Sequence, residues 1–223
     1  MFALCSIASY PDRVVRSRML KAHNLTARRG FTHLFTDLTF DVDRGDALLI
    51  TGANGSGKTT LLRILAGLTA PAAGSVRWRG AEVSAFSGAV RQDVAFVGHL
   101  PALNDALTAQ ENLMMLLSLS GDPVRVDEVR AALSAVALDR QSSLPVRVLS
   151  QGQRRRVALA RLALARRTLW LLDEPAMALD AAGETTLIDL ITRHLAEHGC
   201  VVATTHQPLS LGPARVSTLA LSP

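Results

Sequence analysis

An α/β domain built on a largely parallel sheet is what this sequence predicts, and two patterns carry the prediction. Short, wholly apolar runs alternate with helix-period segments, as when helices cover both faces of parallel strands. The block from about 100 to 165 is almost purely helical, which places a helical lobe on that core. The 223 residues are 48% hydrophobic and 19% charged, with mean hydropathy +0.23, enough apolar surface to exclude disorder as the main state. No charge-free apolar run approaches the ~20 residues of a membrane-spanning helix. Two cysteines, Cys5 and Cys200, far apart and in no C-x-x-C pair, exclude a disulfide scaffold.

The elements follow in order. Residues 1–18 stand apart: Phe2–Ala8 is apolar but short and without a basic start, so they read as a loose extension before a single domain over 19–223, with Met19 the more natural first residue. Leu20–Thr26 and Phe35–Val42 alternate as half-buried strands do. Ala47–Thr51 is a short apolar strand running into glycines, and Thr60–Ala66 a helix stopped by Gly67. Ser75–Arg79 and Val94–Gly98 are further strands. Thr108 and Glu111 form a T-x-x-E capping pair that opens a helix through Leu119. Gly121-Asp122-Pro123 ends it, and Asp127–Leu138 and Gln151–Ala165 are the next helices. Thr168–Leu172 is a strand, Gly183–Glu197 a helix, and Cys200–Thr204 an apolar strand.

Between the third strand and the first helix lies Gly52-Ala53-Asn54-Gly55-Ser56-Gly57-Lys58-Thr59-Thr60, the pattern G-x-x-x-x-G-K-[ST]. Glycines there let backbone N–H groups turn inward onto phosphate oxygens, at the positive end of the following helix. Of 24 basic residues only Lys21 and Lys58 are lysine, and Lys58 stands where an ammonium meets the outer phosphates. Thr59 offers a hydroxyl to Mg²⁺. Leu169–Leu172 then ends in Asp173-Glu174: in a phosphate-loop fold the first acid holds Mg²⁺ and the second, aimed at a water, can act as general base. Upstream, Leu149-Ser150-Gln151-Gly152-Gln153 opens a helix with a hydroxyl and unpaired N–H groups, suited to an anion.

That pentapeptide resembles the L-S-G-G-Q signature of the ATP-binding-cassette (ABC) ATPases. Ala178-Leu179-Asp180 resembles their D-loop, and His206 in Thr204-Thr205-His206 their switch histidine; the motifs, in family order, span residues 20–210. The resemblance implies a phosphate-loop core with a mainly parallel sheet, an N-terminal antiparallel β portion and a helical lobe. It also implies ATP and Mg²⁺ as ligands and a head-to-tail homodimer, in which Ser150, Gly152 and Gln153 serve the partner's nucleotide and Asp180 lies at the same junction. Thr59 and Asp173 would hold the metal, Glu174 would polarise the attacking water, and His206 would contact the γ-phosphate.

Two positions depart from the family pattern. Upstream of Leu107-Thr108-x-x-Glu111-Asn112, where the pattern carries glutamine, stands His99, able to donate to a water or approach a metal. Where an aromatic usually stacks on adenine stands Arg29, with Phe31 the alternative. Together with Val97–Leu113, Leu149–Leu162 and Thr204–Leu209, these resemble the ATP-binding subunits of bacterial cytochrome c biogenesis haem exporters (CcmA type). That resemblance implies small integral membrane partners and a peripheral position on the cytoplasmic face of the inner membrane. Two other classes stay open: the ATPase of another ABC exporter, or a soluble, non-transport ABC ATPase. An unrelated phosphate-loop kinase or GTPase is disfavoured by the signature and by the lack of an N-K-x-D motif.

Three features are read as structural. His194-Leu195-Ala196-Glu197-His198 fits H-x-x-E-H, but histidines suit a helix's last turn. Cys200 opens an apolar strand as a buried thiol. The net charge of +5 and the arginines from Arg154 to Arg167 raise nucleic acid as a partner, yet stacking aromatics are missing there and internal partners are expected instead. Leu113–Leu117 is apolar nearly all round, serving the core and, on another face, a docking helix of a membrane subunit.

Overall fold

The computed structural model describes residues 19–221 apart from Ser87, Arg91 and Pro208; the expectation for residues 1–18 lies outside the described residues. Two sheets share the chain. Strands β1 (Leu20–Arg29), β2 (Thr32–Val42), β4 (Ala73–Trp78) and β5 (Ala81–Glu82) form an antiparallel sheet in the order β2-β1-β4-β5. Strands β3 (Asp46–Gly52), β6 (Val94–Val97), β7 (Leu169–Asp173), β8 (Cys200–Thr204) and β9 (Arg215–Leu221) form a wholly parallel sheet in the order β6-β7-β8-β3-β9. The β3 strand, which leads into the phosphate loop, is thus inside the sheet, and β7, which carries the acids, lies one strand away across β8.

The pleat divides the core into two layers, because successive side chains point to opposite faces. Ala47, Leu49, Trp170, Leu172, Val201 and Ala203 join the cluster made with helices α2 (Ala109–Leu119), α3 (Val126–Ala135), α4 (Gln151–Leu164) and α5 (Ala181–Ala196). Leu48, Ile50, Leu169, Leu171, Cys200 and Val202 join the other, made with α1 (Lys58–Leu65) and the antiparallel sheet. Both faces of the strands are covered, which is why they read as unbroken apolar runs.

Caps fix the helix starts that matter most. Thr108 accepts the Glu111 N–H while Glu111 accepts the Thr108 N–H; Ser150 and Gln153 do the same at the start of α4. Asp180 caps α5 through the Gly183 N–H. Asn112, fully buried, donates to the carbonyls of Asn104, Leu107 and Thr108 and accepts the Asn104 N–H, tying the 104–108 segment to α2. Among the described residues no helix is long and apolar enough to cross a membrane.

Most element bounds differ from the sequence expectation by a few residues. The β5 and β9 strands were not expected. All seven β9 residues pair with β3 at the sheet edge, yet most are exposed, so the stretch lacks the apolar run that marks the interior strands. The β1–β2 hairpin extends past Thr26 and starts again at Thr32, because its two strands pair beyond their buried parts.

Candidate functional site

The β3 strand ends at Gly52 and the loop to α1 turns through glycines at positive φ. Gly57, at φ 98°, is required twice over: its backbone is left-handed, and a Cβ there would lie 3.0 Å from Leu34 and Phe35 of β2. The antiparallel sheet is therefore seated directly on the phosphate loop. Lys58, buried, turns its Nζ back to donate to the carbonyls of Gly52 (2.8 Å) and Ala53 (3.2 Å). Ser56 is also buried, and its hydroxyl has no hydrogen-bond partner among the described residues. Ala53, Asn54 and Gly55 form the exposed crest of the loop, and Thr60 lies in the first turn of α1.

Across the sheet ends, Asp173 is almost wholly buried and accepts two hydroxyl bonds, from Thr59 (2.8 Å) and Thr204 (2.8 Å). The Thr204 hydroxyl in turn accepts the Glu174 N–H at 2.8 Å. Three elements, α1, β7 and β8, thus meet at one carboxylate. The Glu174 backbone sits at φ 48°, a conformation non-glycine residues rarely hold. Its side chain lies between two histidines: His206 Nε2 is 2.9 Å from Oε1, and His99 Nδ1 is 3.8 Å from Oε2. The structure brings Thr59, Asp173, Glu174, His99 and His206 into one set of contacts through Thr204, from residues far apart in the chain, while Lys58 precedes Thr59 and turns back into the loop.

The signature residues lie elsewhere. Ser150 and Gln153 hold the start of α4, and Gly152 faces the loop after Glu174: a Cβ there would lie 2.7 Å from the Ala178 carbonyl oxygen. Asp180 is exposed and bonded to Arg156, whose guanidinium, with the Gly183 N–H, holds its carboxyl below the usual range. The contacts of this region run to the 175–180 loop. Arg29 ends β1 and is exposed; Phe31, in the turn to β2, is 97% exposed.

Sequence reasoning missed Arg155. It was counted only as part of a basic run, but it is 3% exposed and donates to main-chain carbonyls of Gly98, His99, Asp173, Glu174 and Pro175. Burial pushes its guanidinium below the ordinary value, with the Asp173 and Glu174 carboxylates countering. No residue spacing announces such a fork.

The neighbouring arginines are used internally as well. Arg154 pairs with Asp105, Arg161 donates to Phe96 O (2.6 Å), and Arg167 binds Asp122 and the carbonyls of Gln92 and Ser120. His194 stacks on Trp170 with ring centroids 3.9 Å apart and touches Thr168 O at 3.1 Å, so it is a packing residue of the helix end. The Cys200 thiol is buried, donates to Asp43 O, and is pushed up to about 12 by burial.

Comparison with known proteins bears on this geometry. Residues 35–177 match the ABC transporter family model. The chain is 44% identical over 204 residues to the cytochrome c biogenesis ATP-binding export protein CcmA of Nitrosomonas europaea, covering 92% of this chain and 96% of that one. It is 46% identical to the protein of that name from Pseudomonas aeruginosa, covering 86% and 95%. Among solved structures, a dimeric ATP-binding cassette in a post-hydrolysis state with ADP and Pi superposes with TM-score 0.80 at 25% identity, covering 92% of this chain and 97% of that one. The chain therefore belongs to the ABC transporter family of ATP-binding proteins.

Proposed function

We propose that this chain is the ATP-hydrolysing subunit of a bacterial membrane complex that exports or delivers haem during c-type cytochrome biogenesis. The ATPase part rests on one observation above the others: a carboxylate, Glu174, held between two imidazoles beside the Thr59–Asp173 pair at the mouth of a phosphate loop. The haem part rests on the likeness to the CcmA proteins.

Mg²⁺ fits the residues present: the Thr59 hydroxyl and the Asp173 carboxylate are hard oxygen donors, and the buried Ser56 hydroxyl lacks a partner among the described residues. When bound, such an ion neutralises charge developing on β- and γ-phosphate oxygens. The chain's own groups supply the rest. Backbone N–H groups from Gly52 to Thr60 cradle the phosphates, and Lys58 exchanges its two carbonyl acceptors for phosphate oxygens. Glu174 accepts the proton of the attacking water. His206, donating from Nε2, orients that carboxylate and approaches the γ-phosphate, with His99 on the other side. Phe31 or Arg29 stacks on adenine at the hairpin turn beside the loop.

Ser150, Gly152 and Gln153 of a second copy close the site, with Asp180 at the junction, in a head-to-tail homodimer formed on ATP binding. The membrane partners are small integral subunits, docked where residues 96–103 and helices α2 and α4 enclose an apolar cavity of about 140 Å³ beside the exposed Leu100. In this reading the chain is a single ATPase domain lying peripherally on the cytoplasmic face of the inner membrane, and nucleic acid has no part in it.

The test is a detergent pull-down of tagged protein from native membranes with the Soret absorbance recorded. The reading expects small integral partners whose haem absorbance changes on ATP addition with wild type and not with Lys58→Ala. Recovery of an unrelated permease without haem sinks the haem assignment and leaves the ATPase standing.

A further inference from the structure

Arg155 has five N–H donors in a planar fork, and five main-chain carbonyls receive them. Nε donates to Pro175 O (3.2 Å), Nη1 to Gly98 O (2.8 Å) and His99 O (3.3 Å), and Nη2 to Asp173 O (2.7 Å) and Glu174 O. Three of those carbonyls are consecutive and have Glu174 at their centre. The other two belong to the loop that carries His99, whose imidazole faces the Glu174 carboxylate. The left-handed backbone of Glu174 persists only while its surroundings hold it. The Thr204 hydroxyl holds it at the N–H, and Arg155 holds it at the carbonyls on both sides.

We infer that Arg155 is the positioning residue of ATP hydrolysis: from α4 it sets the main chain of Glu174 and of the His99 loop, and so aims the Glu174 carboxylate. Arg155 touches no reacting atom; it acts through Glu174. The inference rests on the reading of Glu174 as general base. Lysine has only three donors on a tetrahedral head and glutamine two, so neither reproduces the fork.

The experiment uses the full chain with ATP and Mg²⁺, comparing wild type, R155K, R155Q, R155M and E174Q. Far-ultraviolet circular dichroism reports folding, and a fluorescent ATP analogue reports binding. The expected result is nucleotide affinity within about threefold of wild type while kcat falls about 10- to 100-fold at unchanged KM, with R155K retaining more than R155Q or R155M. In single turnover, R155Q combined with E174Q is expected to be no slower than E174Q alone, because both act through one carboxylate. Affinity falling in step with kcat, fully multiplicative losses in the double variant, wild-type kcat in R155Q, or failure of all three Arg155 variants to fold each overturn the inference. A wild-type rate in E174Q removes the general-base reading itself, is seen in that variant alone, and takes the inference with it.

Discussion

Lys58 shows how one residue divides into a sequence signal and a structural state. In a chain that uses arginine for nearly all its positive charge, a lysine after Gly57 meets the need for a compact ammonium that can turn between acceptors. Here it turns onto the carbonyls of Gly52 and Ala53, so those oxygens keep it inside the loop. Lys58→Ala is expected to weaken ATP binding about 10- to 100-fold, since a hydrogen bond to a charged group is worth about 1.5–3 kcal/mol; titration with a fluorescent ATP analogue checks it. Unchanged affinity would mean the loop holds no phosphate. In the proposed mechanism Glu174→Gln removes the base and keeps the shape of the pocket, so kcat is expected to drop about 10²- to 10⁴-fold with ATP still bound. Quench-flow with labelled ATP separates the two steps. His194 makes the pH-dependent case. Burial against Trp170 lowers its pKa from the ordinary 6.5, so the folded protein resists a proton that the unfolded chain accepts. Stability is then complete above 6.5 and declines as the pH falls from 6.5 through the lowered value, since the unfolded state binds more protons there. His194→Phe keeps the stack and removes the titration. Its melting temperature between pH 7 and 5.5 is expected to fall less than that of wild type, and parallel curves would refute the account.

Elements explain why some of this was legible beforehand. The β8 strand was read at its observed bounds because Cys200–Thr204 is buried on both faces, and a continuous apolar run is what such burial requires. The T-x-x-E start of α2 was readable because a cap is an exchange between residues three apart; the Ser150–Gln153 box of α4 is equally local, but only its Ser at the helix start was read. The β9 strand was missed for the converse reason: its order comes from β3, and its own side chains remain mostly exposed. The Arg155 fork was equally invisible, since its acceptors are main-chain oxygens that every residue carries. Gly152 lies between these cases. Its place in the signature was legible, but the reason for glycine was not: the Ala178 carbonyl passes where a Cβ would stand. Gly152→Ala is expected to force α4 from the 175–180 loop and cost about 1–3 kcal/mol, the usual cost of overpacking. A chemical-denaturation midpoint measures it, and an unchanged midpoint would show that the loop yields freely.

The whole molecule raises the question of where the signature is used. In one chain Ser150 and Gln153 cap their own helix and Gly152 faces Ala178, while Lys58 and Thr59 follow β3 and Glu174 follows β7 at the sheet ends. The proposed head-to-tail pair would bring half-sites of different copies together, and that arrangement has a consequence a single-chain site lacks. Take one chain with Lys58→Ala and another with Ser150→Arg, both also carrying Glu174→Gln so that ATP is retained. Each alone has no intact site in its homodimer, because every loop or every signature is damaged. Mixed, the Ser150→Arg chain offers an intact loop to the intact signature of the Lys58→Ala chain, and one complete site forms per heterodimer. The mixture with ATP and Mg²⁺ is therefore expected to yield a dimer in size-exclusion chromatography, below the Glu174→Gln level because one of its two sites is damaged, while each variant alone elutes as monomer. A mixture that stays monomeric, when Glu174→Gln alone dimerises, would place both halves of the site in one chain and rule out the head-to-tail arrangement.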